Sequence, residues 1–246
     1  MAYESCSIQS LFFYPDFDRN DRIKLSAVLR NFQQVSGAHV ELTGTTTAEI
    51  YQKTGKVYIV AGYEADILRR PHPGSIEVRT WIEGFRRRIY TVRRYEIVQD
   101  GEVVICGAGL WFMYDPVTRF PVRNHLEIVD LPACPSDPEA PYDMAELQLP
   151  SQMQQTDTGR VMFIQCDGNN HLNNTYYPDF CQQITRDREV VGFRIAYKRE
   201  CAENEEILLT AQTCGEKTYV RGLHQDESTA FEAELIINTS DLEESR

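Results

Sequence analysis

Apolar positions along the chain fall into two successive copies of one pattern. From Tyr3 to Tyr14 they suit a strand, stopped at Pro15. Leu25, Val28, Leu29 and Phe32 then recur at i, i+3, i+4 and i+7. That is one face of a helix, predicted over Arg22–Ser36 with Gly37 as its C-cap. A short helix follows at Thr47–Lys53, with Thr46 and Glu49 spaced as a capping box and Gly55 as its stop. From Lys56 onward the pattern changes to strands: Val57–Arg70, Ser75–Arg87, Ile89–Gln99 and Glu102–Tyr114. Their turns fall at Pro71-His72-Pro73-Gly74 and Gln99-Asp100-Gly101. Later in the chain the order returns as strand Arg160–Cys166, helix Asn174–Arg186 and strands Glu189–Cys201, Glu205–Cys214, Lys217–His224 and Thr229–Asn238.

Between the copies, Pro132, Pro135, Pro138, Pro141 and Pro150 are five of the chain's eleven prolines. Proline removes a ladder donor, so residues 130–159 read as a linker between domains at 1–129 and 160–246. The stripe Tyr177, Phe180, Cys181, Ile184 lies 152 residues after Leu25, Val28, Leu29, Phe32. The strand Glu206–Thr210 lies 130 residues after Ile76–Thr80. A repeat of this length is a duplicated domain rather than a solenoid. The first copy then carries 22 extra residues, placed at Gly37–Lys56.

Composition narrows the function classes. Across 246 residues, 42% hydrophobic and 11% aromatic content suffices for real cores. No apolar run approaches the ~20 residues that cross a bilayer. The first residues lack the pattern of a signal or transit peptide. Seven cysteines without a CxxC argue against a disulfide framework or a zinc site and suit a reducing cytoplasm. The net charge of −12 disfavours nucleic acid as a partner.

The densest run of chemically capable side chains is Asp167-Gly168-Asn169-Asn170-His171-Leu172-Asn173-Asn174. It lies at a strand-to-helix turn. In an extended turn the alternating Asp167, Asn169 and His171 would point one way. The helix start beyond supplies N–H donors and a positive dipole end. Helix capping alone needs only one or two of these groups.

This turn, with Tyr177 beyond it, resembles the active-site turn of the acyl-(acyl carrier protein) thioesterases of bacterial type. Two further matches fall in the family's order: Tyr197-Lys198-Arg199-Glu200-Cys201 and Thr80-Trp81. The resemblance runs from about Tyr3 to Ile237 and implies an α+β double hot-dog, two tandem domains each with a central helix wrapped by an antiparallel sheet. It also implies hydrolysis of fatty acyl-carrier thioesters in fatty acid biosynthesis, without cofactor or metal. The family's catalytic set maps onto Asp167, Asn169, His171 and Glu200. Asn173, Asn174, Tyr177 and Trp81 are the expected substrate contacts.

Hydrolysis of a thioester needs an activated water and a polarised carbonyl. Asn169 and His171 can donate to the carbonyl, while Asp167 and Glu200 are both candidate bases, with Glu200 favoured. Under the offsets above, Asp167, Asn169 and His171 match Pro15, Phe17 and Arg19, and Glu200 matches Arg70. The first copy is then expected to be catalytically silent. Strand alternation would put Cys201 on the face opposite Glu200, as a structural thiol. His39, His72, His125 and His224 show no ligand spacing and are expected in turns or on the surface. Trp81 and Trp111 are expected in the core or an acyl pocket. Arg86, Arg87, Arg88, Arg93 and Arg94 form the one basic concentration, a solvated sheet face or a docking patch for an acidic acyl carrier protein. The rival readings are an acyl-CoA thioesterase and a non-catalytic acyl-binding double hot-dog. A homodimer suits any of them.

Overall fold

Alternating buried and half-exposed positions give eleven strands, all joined in one antiparallel sheet. The computed structural model describes residues 5–44, 46–124 and 147–238. Strands β1 (Ser5–Phe12), β2 (Val57–Ile67), β3 (Gly74–Arg86), β4 (Tyr90–Gln99), β5 (Glu102–Asp115) and β6 (Phe120–Pro121) form the first half. Strands β7 (Gln154–Arg160), β8 (Val190–Tyr197), β9 (Glu206–Cys214), β10 (Lys217–Leu223) and β11 (Thr229–Ile237) form the second. The order is β1-β3-β4-β5-β2-β8-β11-β10-β9-β7, with β6 beside β5. The halves meet at β2 and β8, where Gly62 faces Ala196 and Asp66 faces Gly192. Each copy thereby covers an edge of the other.

Helix α1 (Leu25–Thr43) packs on β1 and β3, and α3 (Tyr177–Thr185) on β11, β7 and β8. The two helices touch each other. One apolar cluster runs through both halves, from Phe12, Leu29 and Phe32 to Phe193, Phe231 and Leu235. Phe32 stacks on Tyr95 with ring centroids 4.3 Å apart. Each such fully buried side chain contributes about 1.5–3 kcal/mol. This is the expected double hot-dog.

Three expectations change. Gly37 does not end α1. The helix continues to Thr43, and Gly44 caps it at φ +64°. The short helix α2 (Thr47–Thr54) does form, with the Thr46–Glu49 capping box and Gly55 in the left-handed region. The second copy's first strand is Gln154–Arg160, not Arg160–Cys166, so the last residues of the expected linker are sheet. Its sequence is polar because it is an edge strand. Its Gly159 is needed where the ring of Phe180 packs: an added Cβ would lie 2.7 Å from it. The more apolar Val161–Ile164 is a turn whose Phe163 and Ile164 are exposed. Finally, β8 stops at Tyr197, so Glu200 and Cys201 lie beyond it. Pro132, Pro135, Pro138 and Pro141 lie outside the described residues.

The internal offset also changes. The bridge Cys166–Leu172 repeats Phe17–Ile23, 149 residues apart, and β7 stands in the same relation to β1. Buried Asn31 interrupts the apolar stripe of α1, which is why the periodicity aligned it three residues early. At the ends of β2 and β8 the offset of 130 holds: Leu68 and Arg69 both donate to Val104 O, as Lys198 and Arg199 do to Ala230 O. The extra length of the first half lies in the last turns of α1 and in α2.

Candidate active site

The turn after β7 is held by its own backbone. Asp167 N donates to His171 O at 3.0 Å, and Asn170 N donates to Asp167 O at 3.0 Å. Asn170 takes φ +62°, a conformation asparagine tolerates. Asp167 Oδ1 accepts from Asn169 N at 2.9 Å. The turn is therefore tight rather than extended, and the Asp167 carboxylate folds back onto it. The Asn169 residue is exposed.

Two links bring this turn to the segment after β8. His171 bridges Ala202, and Leu172 N donates to Cys201 O at 2.8 Å. His171 Nδ1 then lies 3.5 Å from Glu200 Oε2, with both side chains reachable by solvent. Residues 29 apart in sequence thus form one imidazole–carboxylate pair beside the helix start. A carboxylate there can accept a proton from water, and an imidazole N–H or the Asn169 amide can donate to a carbonyl oxygen.

The neighbouring residues position the turn. Asn173 Oδ1 accepts from Thr175 N at 3.0 Å, capping the helical segment. Asn174 accepts from Gln33 Nε2 of α1, and its backbone O accepts from Tyr197 Oη at 2.7 Å. Tyr177 is only 3% exposed, packed against Tyr197 and Phe231. Its hydroxyl accepts from Cys201 N at 3.1 Å. Tyr177 was expected to touch substrate. It instead anchors the segment that carries Glu200.

Cys201 is fully buried, and burial pushes its thiol up to about 11. A thiol in that state holds its proton at neutral pH and is no nucleophile. Its distance from Glu200's surface position follows from burial, since both residues are off the strand whose alternation was invoked. His224 is also buried, not superficial, and its Nδ1 lies 2.5 Å from Glu205 Oε1. Cys201, Glu205 and His224 offer one donor atom each within 4.8 Å, the one metal-capable trio among the described residues. Glu205 Oε2 already accepts from Ala202 N at 2.8 Å, so the trio also fastens the Glu200–Glu205 loop.

The basic concentration divides. Arg87 and Arg88 sit at the β3–β4 hairpin tip with φ +51° and +57°, exposed. Arg86 ends β3. Arg94 pairs with Glu83 at 3.0 Å on the sheet's outer face. Arg93 faces inward and is 6% exposed, so it cannot dock a protein. Trp81 lies on the outer face between inward-facing Thr80 and Ile82, away from any acyl pocket. Trp111 does line a cavity of about 300 Å³, between α1, α2 and the first-half sheet. Gln33 lines it too and reaches Asn174, linking the cavity wall to the end of the Asp167–Asn174 turn. The sequence offered no sign of this cavity, because its walls come from six separate elements.

His39 is buried, against expectation, and bonds Arg93. His72 sits in its turn with Asp100, as expected. His125 lies outside the described residues. No helix among them is long and apolar enough to cross a membrane.

Fold and turn together define a thioesterase of the double hot-dog class. Residues 10–131 match the family model of the acyl-ACP thioesterase N-terminal domain, and the chain belongs to the acyl-ACP thioesterases. Solved structures agree in fold. The acyl-ACP thioesterase of Bacteroides thetaiotaomicron superposes with a TM-score of 0.80 at 17% identity, covering 96% of this chain and 98% of that one. The 12:0-ACP thioesterase of Umbellularia californica gives 0.81 at 16%, covering 97% and 98%. No curated protein matches the chain by sequence.

Proposed function

We propose that the chain hydrolyses fatty acyl-carrier-protein thioesters to free fatty acid and carrier protein, with Glu200 as the base. The observation that carries this assignment is the 3.5 Å approach of His171 to Glu200 across the turn. Glu200 takes the proton of a water that attacks the thioester carbonyl. His171 holds Glu200 in place and, with the Asn169 amide, donates to the oxyanion as it forms. The thiolate of the carrier's prosthetic arm then leaves without needing a strong acid. Asp167 shapes the turn rather than competing as base, because its carboxylate already accepts the Asn169 N–H. Exposed Arg87 and Arg88 are the remaining docking candidates for an acidic carrier, which would place the reaction in the cytoplasm.

The test is a product assay of the purified chain with matched acyl-carrier and acyl-CoA thioesters. Release of fatty acid from the carrier substrate at higher kcat/KM supports the reading. Preference for CoA would support the acyl-CoA alternative, and binding without turnover would support the non-catalytic one.

A further inference from the structure

The first-half cavity contains a charge that no carboxylate among the described residues neutralises. Arg93 projects from β4 into the interior and lines the cavity wall. Its Nη1 donates to His39 Nδ1 at 2.8 Å and to Thr80 Oγ1 at 3.3 Å. A guanidinium can only donate, so His39 Nδ1 accepts and that imidazole is neutral. Among the described residues no carboxylate forms an ion pair with Arg93, and its Nη1 bonds go to neutral groups. Other charged residues of this half are paired outside the cavity: Arg94 with Glu83, and Arg79 with Glu77. Burying an unpaired cation costs several kcal/mol, so it persists where it serves a purpose or where a ligand completes it.

Gly37 also lines the cavity, at a solvent-exposed point of its rim. Gly37 sits in the middle of α1, where glycine costs about 0.5–1 kcal/mol relative to alanine. An added Cβ there would meet nothing within 4 Å. Apolar Val40, Ile50, Ile82 and Trp111 line the cavity, with Arg93 set among them. An elongated apolar ligand with one anionic group suits such a wall better than a plain hydrocarbon.

We propose that this cavity receives an acyl chain whose far end carries a carboxylate, with Arg93 as the group that recognises it. The inference rests on the thioesterase reading for the other end of the ligand. Apolar walls hold the methylene chain, and the Arg93 guanidinium supplies the two-point hydrogen bond that such a group makes to carboxylate. The acyl substrates selected are then half-thioesters of dicarboxylic acids.

Calorimetric titration of the full chain with two ester series tests this without relying on turnover. One series is fatty methyl esters, from octanoate to tetradecanoate. The other is monomethyl esters of the length-matched diacids. The half-esters are expected to bind at least about tenfold more tightly, a difference of about 1.4 kcal/mol. Arg93→Met should remove that preference, and Gly37→Leu should weaken both series by crowding the cavity's rim. Equal or tighter binding of the plain methyl esters by the unaltered chain overturns the proposal, as does binding of neither series. That comparison stands even if Arg93→Met does not fold. Pantetheine thioesters of the same acids separate the two readings. Turnover of plain acyl thioesters without half-ester preference sinks this proposal alone. Half-ester preference with no turnover of any thioester supports the site and sinks the hydrolase assignment.

Discussion

Two turns of this molecule have nearly one backbone and different chemistry. In the second half Asp167 Oδ1 accepts from Asn169 N, Asp167 N donates to His171 O, and Asn170 is left-handed. In the first half Asp18 Oδ1 accepts from Asn20 N at 2.8 Å, Asp18 N donates to Arg22 O at 2.8 Å, and Asp21 has φ +54°. Asp18 and Asn20 are therefore counterparts of Asp167 and Asn169. Pro15 and Phe17, the expected counterparts, are not. What the first copy lacks is the pair: Arg22 stands for His171 and Arg70 for Glu200. Arg70 spends its guanidinium on Asn20 O and Asp21 O, at 2.6 and 3.1 Å. The comparison teaches that Asp-x-Asn builds the loop, whereas the His–Glu pair makes it a site.

The largest effects should come from that pair. Glu200→Gln and His171→Ala are each expected to lower kcat by at least roughly a hundredfold, the usual loss of a base or oxyanion donor. Arg70→Ala and Arg22→Ala should stay within about threefold. Rebuilding the first copy with Arg22→His and Arg70→Glu in a Glu200→Gln background should not rescue turnover. Gln33, which lines the first-half cavity, bonds Asn174 of the second turn, while its counterpart Gln182 bonds Ile23 O at the end of a helix that stops at Thr185. A steady-state fatty acid release assay reads all five variants, and rescue by the rebuilt copy would break the one-site account.

A second contrast lies at the hairpin tips. The β3–β4 tip carries Arg87 and Arg88, while the matching β9–β10 tip carries Gly215 and Glu216. Reversing both arginines to glutamate should raise KM for the acyl-carrier substrate by about threefold to tenfold and leave short acyl-CoA analogues unchanged. The effect should shrink with added salt, since exposed charges are screened beyond about 8 Å at physiological ionic strength. Equal losses with both substrates would assign these arginines to folding.

The duplicated plan, the helices and the meander strands were legible because each has a strong apolar period. The proposed catalytic pair was suggested only by motif resemblance, since nothing in local spacing joins His171 to Glu200. Three features were hidden for physical reasons. An edge strand such as Gln154–Arg160 buries little and so shows little apolar signal. A polar residue inside a helix, Asn31, displaced the alignment of the repeat by three positions and concealed Asp18 and Asn20. The five arginines read as one basic concentration, and only the packed structure shows that Arg93 lies on the inner face and Arg94 on the outer.

A smaller effect separates scaffold from chemistry. Asp18→Ala removes acceptors for Asn20 N and Arg22 N, and Asp167→Ala removes that of Asn169 N. Each should cost about 1 kcal/mol, as loss of a capping carboxylate does, or ~2–4 °C in Tm for a chain of this size. Only Asp167→Ala should also lower turnover, because its turn carries Asn169 and His171. Thermal denaturation alongside the activity assay distinguishes them. A loss of turnover in Asp18→Ala beyond its loss of folded protein would mean that the first turn takes part in the reaction.

The smallest effect is expected at Cys201, and the comparison of copies gives the reason. At the 130-residue offset the counterpart of Cys201 is Pro71, which is buried as well. A position filled by proline in one copy and cysteine in the other requires a small buried side chain, not a thiol. Its burial holds the proton on sulfur until about pH 11, so no thiolate is available near neutrality. Its backbone does the positioning, through Cys201 O to Leu172 N and Cys201 N to Tyr177 Oη. Cys201→Ala keeps both of those bonds. It is expected to retain kcat within about threefold, with no acyl group on the unaltered Cys201 after rapid mixing with substrate. Tyr177→Phe, which removes the acceptor for Cys201 N, should cost more than Cys201→Ala. A trapped thioester on Cys201 by mass spectrometry would replace direct water attack with a covalent mechanism and return the catalytic role to sulfur.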